Sequence, residues 1–221
     1  MKKLLLTTVL SFFYVSSASA ELGVNVGASG QMGLFSASAQ ELTGTTIKGN
    51  GSEYGEAAWG SVFLEGTFND KFIIGIDYVP SSLETDAVET AKSNLGAAAE
   101  PAVQTTTSNK VQVDFEDLTT LYAGFMVTDN LYVKAGITTV DVITNEDMGT
   151  GSSYANAELD GSMFGIGYHN VLDNGVFFRV EGNYMTFDGT TVNATGTDAD
   201  NSIKLKSLDG VSGKLSIGKS F

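Results

Sequence analysis

From Leu22 onward the chain alternates apolar and polar side chains with a period of two, and it does so in eight separate segments. Successive side chains of a strand point to opposite faces, so each segment reads as a strand with one apolar and one polar face. The segments run from Leu22 to Ser36, Ala57 to Phe68, Phe72 to Val79, Val111 to Val127, Leu131 to Ile143, Leu159 to Val171, Val176 to Asp188 and Lys204 to Phe221. In the third, Ile74, Ile76 and Tyr78 face away from Gly75 and Asp77. In the seventh, Phe178, Val180 and Tyr184 face away from Arg179, Glu181 and Asn183. The connections alternate as well. Long polar stretches (Ala37 to Glu56, Pro80 to Lys110, Thr144 to Glu158, Gly189 to Ile203) take turns with short ones. The short ones are Asn69-Asp70-Lys71, Thr128-Asp129-Asn130 and Leu172-Asp173-Asn174-Gly175, and they carry tight-turn chemistry.

The first twenty residues belong to a different kind of segment. Lys2 and Lys3 precede an apolar run from Leu4 to Val15, and Ala18-Ser19-Ala20 matches the small-residue pattern of a cleavage site. This is a secretory signal peptide, too short for a spanning helix, and the mature chain is expected to begin at Glu21. Its removal takes away Lys2 and Lys3 and moves the formal charge from −14 to −16. So acidic a chain lacks the basic footprint of a nucleic-acid binder. With no cysteine there is no disulfide framework.

No second apolar run reaches eighteen residues. A chain of this kind can cross a membrane only as a closed antiparallel barrel. Short turns on one side and long loops on the other are the pattern of such barrels. An even number of strands returns the chain end to the side where the first strand began. The last segment ends with Val211, Leu215, Ile217 and Phe221 at even spacing, while Lys219 stands where an apolar residue is usual.

The leader, the eight-segment alternation and the terminal Leu215, Ile217 and Phe221 resemble those of the small OmpA/OmpX/opacity-type barrels of the bacterial outer membrane. The resemblance covers residues 21–221 and implies a single all-β domain, an up-and-down transmembrane β-barrel of about eight strands. It implies an outer-membrane location and a monomer surrounded by outer-membrane lipid and lipopolysaccharide. It further implies escort by periplasmic chaperones and insertion by the barrel-assembly machinery, with no nucleic acid as partner. The role expected of such a protein is structural or surface-interacting, through long extracellular loops. A porin-like channel for ions or small solutes is the alternative, and a soluble secreted β-protein is the reading that a need for detergent would exclude.

The polar faces of the strands carry six charged residues that the alternation points into the bore: Glu65, Asp77, Lys134, Arg179, Glu181 and Lys214. Glu65, Lys134 and Arg179 are expected at one height, with Asp77, Glu181 and Lys214 a little above. Three acids against three bases can neutralise one another, and buried charges require such partners. A salt-bridged interior is therefore expected. Its plain role is a structural polar core; the resemblance adds a partner-switching ion gate as the alternative.

Other features support no catalytic, cofactor or metal site. The single histidine, His169, falls at the end of a strand next to a short turn, with Val171 rather than a serine two residues on. Asp198, Asp200 and Asn201 resemble part of a calcium loop but lack its distant glutamate, and read as solvated. Trp59, Tyr78, Phe115 and Tyr184 are expected in an upper aromatic girdle, and Phe68, Phe72, Phe125, Tyr168 and Phe221 in a lower one. A short helix is expected over Ala87 to Glu100 and a mobile run over Gln104 to Asn109; a bulge near Asp141 in the fifth segment would flip part of the inward set. Intact-mass measurement of protein purified from outer membranes is expected to give a chain that begins at Glu21; a mass that retains residues 1–20 would refute the cleavage site.

Overall fold

Period-two patterning and tight-turn residues act together to fold the chain into a cylinder of antiparallel strands. The computed structural model describes residues 22–84, 88–95, 104–148, 153–196 and 199–221. The expected leader, with Ala18 and Ala20, and Asp198 lie outside them. Eight strands form the ring: β1 (Leu22–Thr43), β2 (Thr46–Phe68), β3 (Phe72–Tyr78), β6 (Gln104–Met126), β7 (Leu131–Met148), β9 (Ala157–Val171), β10 (Val176–Phe187) and β12 (Asn201–Ser220). β1 pairs with both β2 and β12, and this second pairing closes the barrel. Four short strands lie outside the ring: β4 (Leu83–Glu84), β5 (Val88–Leu95), β8 (Ser153–Tyr154) and β11 (Thr191–Thr195).

One end of the barrel has short turns held by local bonds. Asn69 and Asp70 both take positive φ (52° and 53°), which joins β2 to β3 with the twist a tight hairpin needs. The Thr128 hydroxyl accepts from the backbone N–H groups of Asn130 and Leu131. Asn174 Oδ1 accepts from the N–H of Val176 at 3.0 Å. At the other end the strands run on past the barrel wall. β1 and β2 stay paired up to Thr43 and Thr46 and turn through Gly44 at φ 58°. The stretch Ala37 to Glu56, expected as a loop, is therefore a hairpin that continues the wall.

The helix expected over Ala87 to Glu100 is also replaced in its described part. Val88–Leu95 is β5, paired with Gln104–Val111 of β6. The run Gln104 to Asn109, expected to be mobile, is strand as well. A lone helix this short is marginal. The edge of β6 offers a full row of backbone partners, and Thr105, Thr106 and Thr107 are β-branched residues that suit a strand.

Outward residues form an apolar belt. Val62, Ile74, Phe164, Val180 and Leu215 are each 39% to 65% exposed. Leaving such half-exposed side chains in water forgoes about half of the roughly 1.5–3 kcal/mol that full burial of each would give, so the belt is built for lipid. Tyr78 and Tyr184 lie at its upper side; Phe72, Phe125, Tyr168 and Phe221 lie at its lower side and are exposed. Two aromatics depart from the girdles. Trp59 is inside, 6% exposed, with its ring 5.8 Å from that of Phe35. Its parity matches that of Ser61 and Glu65, which also face in. Phe115 packs against the interior cluster as well. The cause is a register shift in β6 between Glu116 and Thr119, with Asp117 at φ 55°. A bulge reverses the faces of the residues beyond it. The irregularity thus lies on β6, across from Asp141 rather than at it.

Inward glycines make room for large rings. Tyr132 stands opposite Gly167, where an added Cβ would come within 2.5 Å of the ring. At outward Gly182 an added Cβ meets nothing within 4 Å. Gly167→Val is expected to destabilise the vesicle-reconstituted barrel by about 1–3 kcal/mol. Gly182→Ala is expected to stay within about 0.5 kcal/mol of the parent. Urea unfolding followed by the fluorescence of the sole tryptophan reads both.

Candidate functional site

The alternation that makes the belt places charged side chains on the opposite face, and ring closure brings them within reach of one another. Glu65 on β2 accepts two hydrogen bonds from the Arg179 guanidinium on β10, at 2.5 Å and 2.7 Å. It also accepts from the Tyr122 hydroxyl at 2.6 Å and from Asn25 Nδ2 at 3.1 Å. Glu65 is 1% and Arg179 3% exposed. A planar guanidinium matches a carboxylate with two parallel bonds, which fixes geometry as well as charge.

A second group adjoins the first. Lys134 on β7 lies 2.8 Å from Glu181 on β10, and the Tyr132 hydroxyl donates to the same carboxylate. Lys214 on β12 donates to Asp77 on β3 and lies 3.8 Å from the second oxygen of Glu181. All six charged residues thus meet inside the barrel. Lys134 is joined to Glu181 and not to Glu65, with which it was expected to share a level.

Aromatic faces surround the cations. The Arg179 guanidinium lies 4.6 Å from the Phe177 ring centre and 5.5 Å from those of Phe63 and Tyr132. Lys134 lies 4.8 Å from the Tyr122 ring. Such faces attract a cation through the ring quadrupole while excluding water. Sequence reasoning missed Phe63, Tyr122 and Phe177. Their signal in the sequence is parity, which they share with inward neighbours; the structure adds that Tyr122 is paired directly with Gly75.

Above the charges the interior turns apolar. Trp59, Leu118, Met163, Met185, Phe187 and Leu208 form a buried cluster. Between the two layers lies a cavity of about 20 Å³, lined by Trp59, Asp77, Asn183 and Lys214 among others. That is room for about one water molecule. His169 lies near the short-turn end, with its ring centre 4.9 Å from that of Phe177. Leu215, Ile217 and Phe221 face outward, between 53% and 74% exposed. Among the described residues no group of three or more His, Cys, Asp or Glu is arranged to hold a metal ion.

The Glu65–Arg179 pair generates a test. Arg179→Met removes one partner and leaves a buried carboxylate, at an expected cost of about 3–5 kcal/mol. Combining it with Glu65→Gln is expected to cost clearly less than the sum of the two single changes. Equilibrium unfolding in vesicles measures the cycle, and simple additivity would show that the pair is not coupled.

The chain matches no family model and no curated protein sequence. Solved structures do resemble it. The outer membrane protein OprG from Pseudomonas aeruginosa aligns with a TM-score of 0.56 and 13% identity, over 90% of this chain and 95% of that one. The outer membrane protein AlkL, solved in lipid bilayers, aligns with a TM-score of 0.51 and 12% identity, over 94% of each chain. At such identities the likeness speaks for the fold. A ring of eight antiparallel strands with a lipid-facing belt and a polar, charge-paired interior is the fold of the small bacterial outer-membrane β-barrels, and this chain has it.

Proposed function

We propose that the protein is a non-enzymatic, integral outer-membrane barrel with a closed bore, which acts at the cell surface through its long extracellular hairpins. The observation that carries this reading is the filling of the interior. The charge network joins β2, β3, β7, β10 and β12 across the bore. The apolar cluster lies directly above it, and the cavity between them has room for about one water molecule. Passage of an ion along the axis would require parting Glu65 from Arg179 in a low-dielectric interior, where an unpaired charge is costly.

The hairpins support the surface part of the reading. β1 and β2 remain paired for about ten residues above the outermost apolar positions, and β5 and β6 pair in the same way. Rigid barrels that carry extended outer connections place recognition there. The reconstituted mature protein is expected to give no steady conductance in a planar bilayer. Steady ion current that changes on charge reversal at Glu65 or Arg179 would replace this reading with that of a channel.

A further inference from the structure

We propose that the outer wall of the β12–β1–β2 sector, just above the lipid-facing belt, docks the phosphorylated saccharide headgroup of a glycolipid in the same leaflet. The proposal rests on the membrane reading above. On β1 the belt ends at Leu34, which is 61% exposed. Each further outward residue lies roughly 5 Å higher, given about 2.5 Å of height per residue in a tilted strand. The next positions therefore stand at headgroup depth, continuous with the surface that lipid tails cover.

Those positions offer what a sugar phosphate needs. Tyr54, paired with Ser36, is 83% exposed and presents a ring face on which a sugar can stack. One step up, the hydroxyls of Ser38 and Ser52 are 2.9 Å apart. Above them Gln40 Nε2 donates to Asn50 Oδ1 at 2.6 Å. Among the described residues this leaves the Gln40 carbonyl oxygen and the Asn50 amino group for an outside partner. Lys204 pairs in register with Gln40, and Lys206 is exposed at the bulge just below. A lysine ammonium is a point charge suited to phosphate. Of the acids on the same face, Asp209 accepts a hydrogen bond from Tyr184 and Glu56 stands lower, beside Leu34; Glu41 and Glu53, next to Gln40 and Tyr54 in the chain, fall on the opposite face of their strands.

Charge complementarity selects this sector. On the β6–β7–β9 side Glu116, Asp141 and Glu158 stand in direct register across three strands. That wall repels an anionic headgroup; the β12–β1–β2 wall sets Lys204 and Lys206 beside its own acids, Glu56 and Asp209.

The test uses the mature full-length chain in lipid nanodiscs that contain deep-rough lipopolysaccharide, with its phosphates intact or removed. Native mass spectrometry after detergent release reads the glycolipid that stays bound. Retention by the parent is expected to require the phosphates. It is expected to fall about tenfold in K204E/K206E, the equivalent of losing one or two charge-assisted contacts. Y54A is expected to fall severalfold, K204Q/K206Q to fall between parent and reversal, and E158Q to match the parent. Equal retention by K204E/K206E and parent, indifference to phosphate, no retention by the parent, or an equal loss in E158Q would overturn the proposal. The boiling-dependent gel shift of each variant reports the folded barrel separately, so failure of docking is distinct from failure of the membrane reading.

Discussion

A peptide group placed in hydrocarbon has no water to bond, so every backbone N–H and C=O at membrane depth must find a partner within the protein. In this chain the requirement is met by one pairing above all others, that of β1 with β12. It joins the two ends of the described sequence: the N–H of Val24 donates to the carbonyl of Phe221, and the N–H of Phe221 donates to that of Val24. Without this seam the sheet would have two open edges in lipid. With it, the sheet has an inside, and the inside decides everything else about the molecule.

The interior is built as two layers with different chemistry. Near the short-turn end, charges are held by full partnership: Glu65 engages arginine, tyrosine and asparagine together. A buried carboxylate is tolerable on those terms alone. Toward the outer end the filling becomes hydrocarbon and aromatic rings, the arrangement of a soluble core. The change of layer coincides with the register shift in β6, beyond which Phe115 joins the interior cluster.

Much of this was legible in the sequence because a period of two is a rigid rule. Once Ile74 and Ile76 face lipid, Asp77 cannot; once Val180 does, Arg179 and Glu181 face the bore. The same rule puts Tyr132 and Asn25 inward, where both are buried. It is masked where chemical habit competes with it: tryptophan is common in girdles, but the parity of Trp59 with Ser61 and Glu65 points it inward. It fails at Phe115, since nothing local announces that Asp117 takes a left-handed conformation. The extensions of β1, β2 and β6 were hidden for another reason. Residues such as Ser38, Asn50 and Thr106 are polar and read as loop, and only the presence of a neighbouring strand edge converts them to sheet.

The arrangement of the ion pairs also bears on the order in which the molecule can be made. The first three strands carry Glu65 and Asp77, and the bases that meet them arrive on β10 and β12, more than a hundred residues later in the chain. A growing sheet therefore carries a row of unmatched charges on one face until its last strands are in place. Those charges hold that face to water and oppose early burial. The stabilisation arrives nearly all at once, when the seam closes and Arg179 meets Glu65. Contacts so distant in sequence make a slow, strongly cooperative last step. A half-built cylinder of this sequence is accordingly a poor resident of the bilayer, and the closed one a good one.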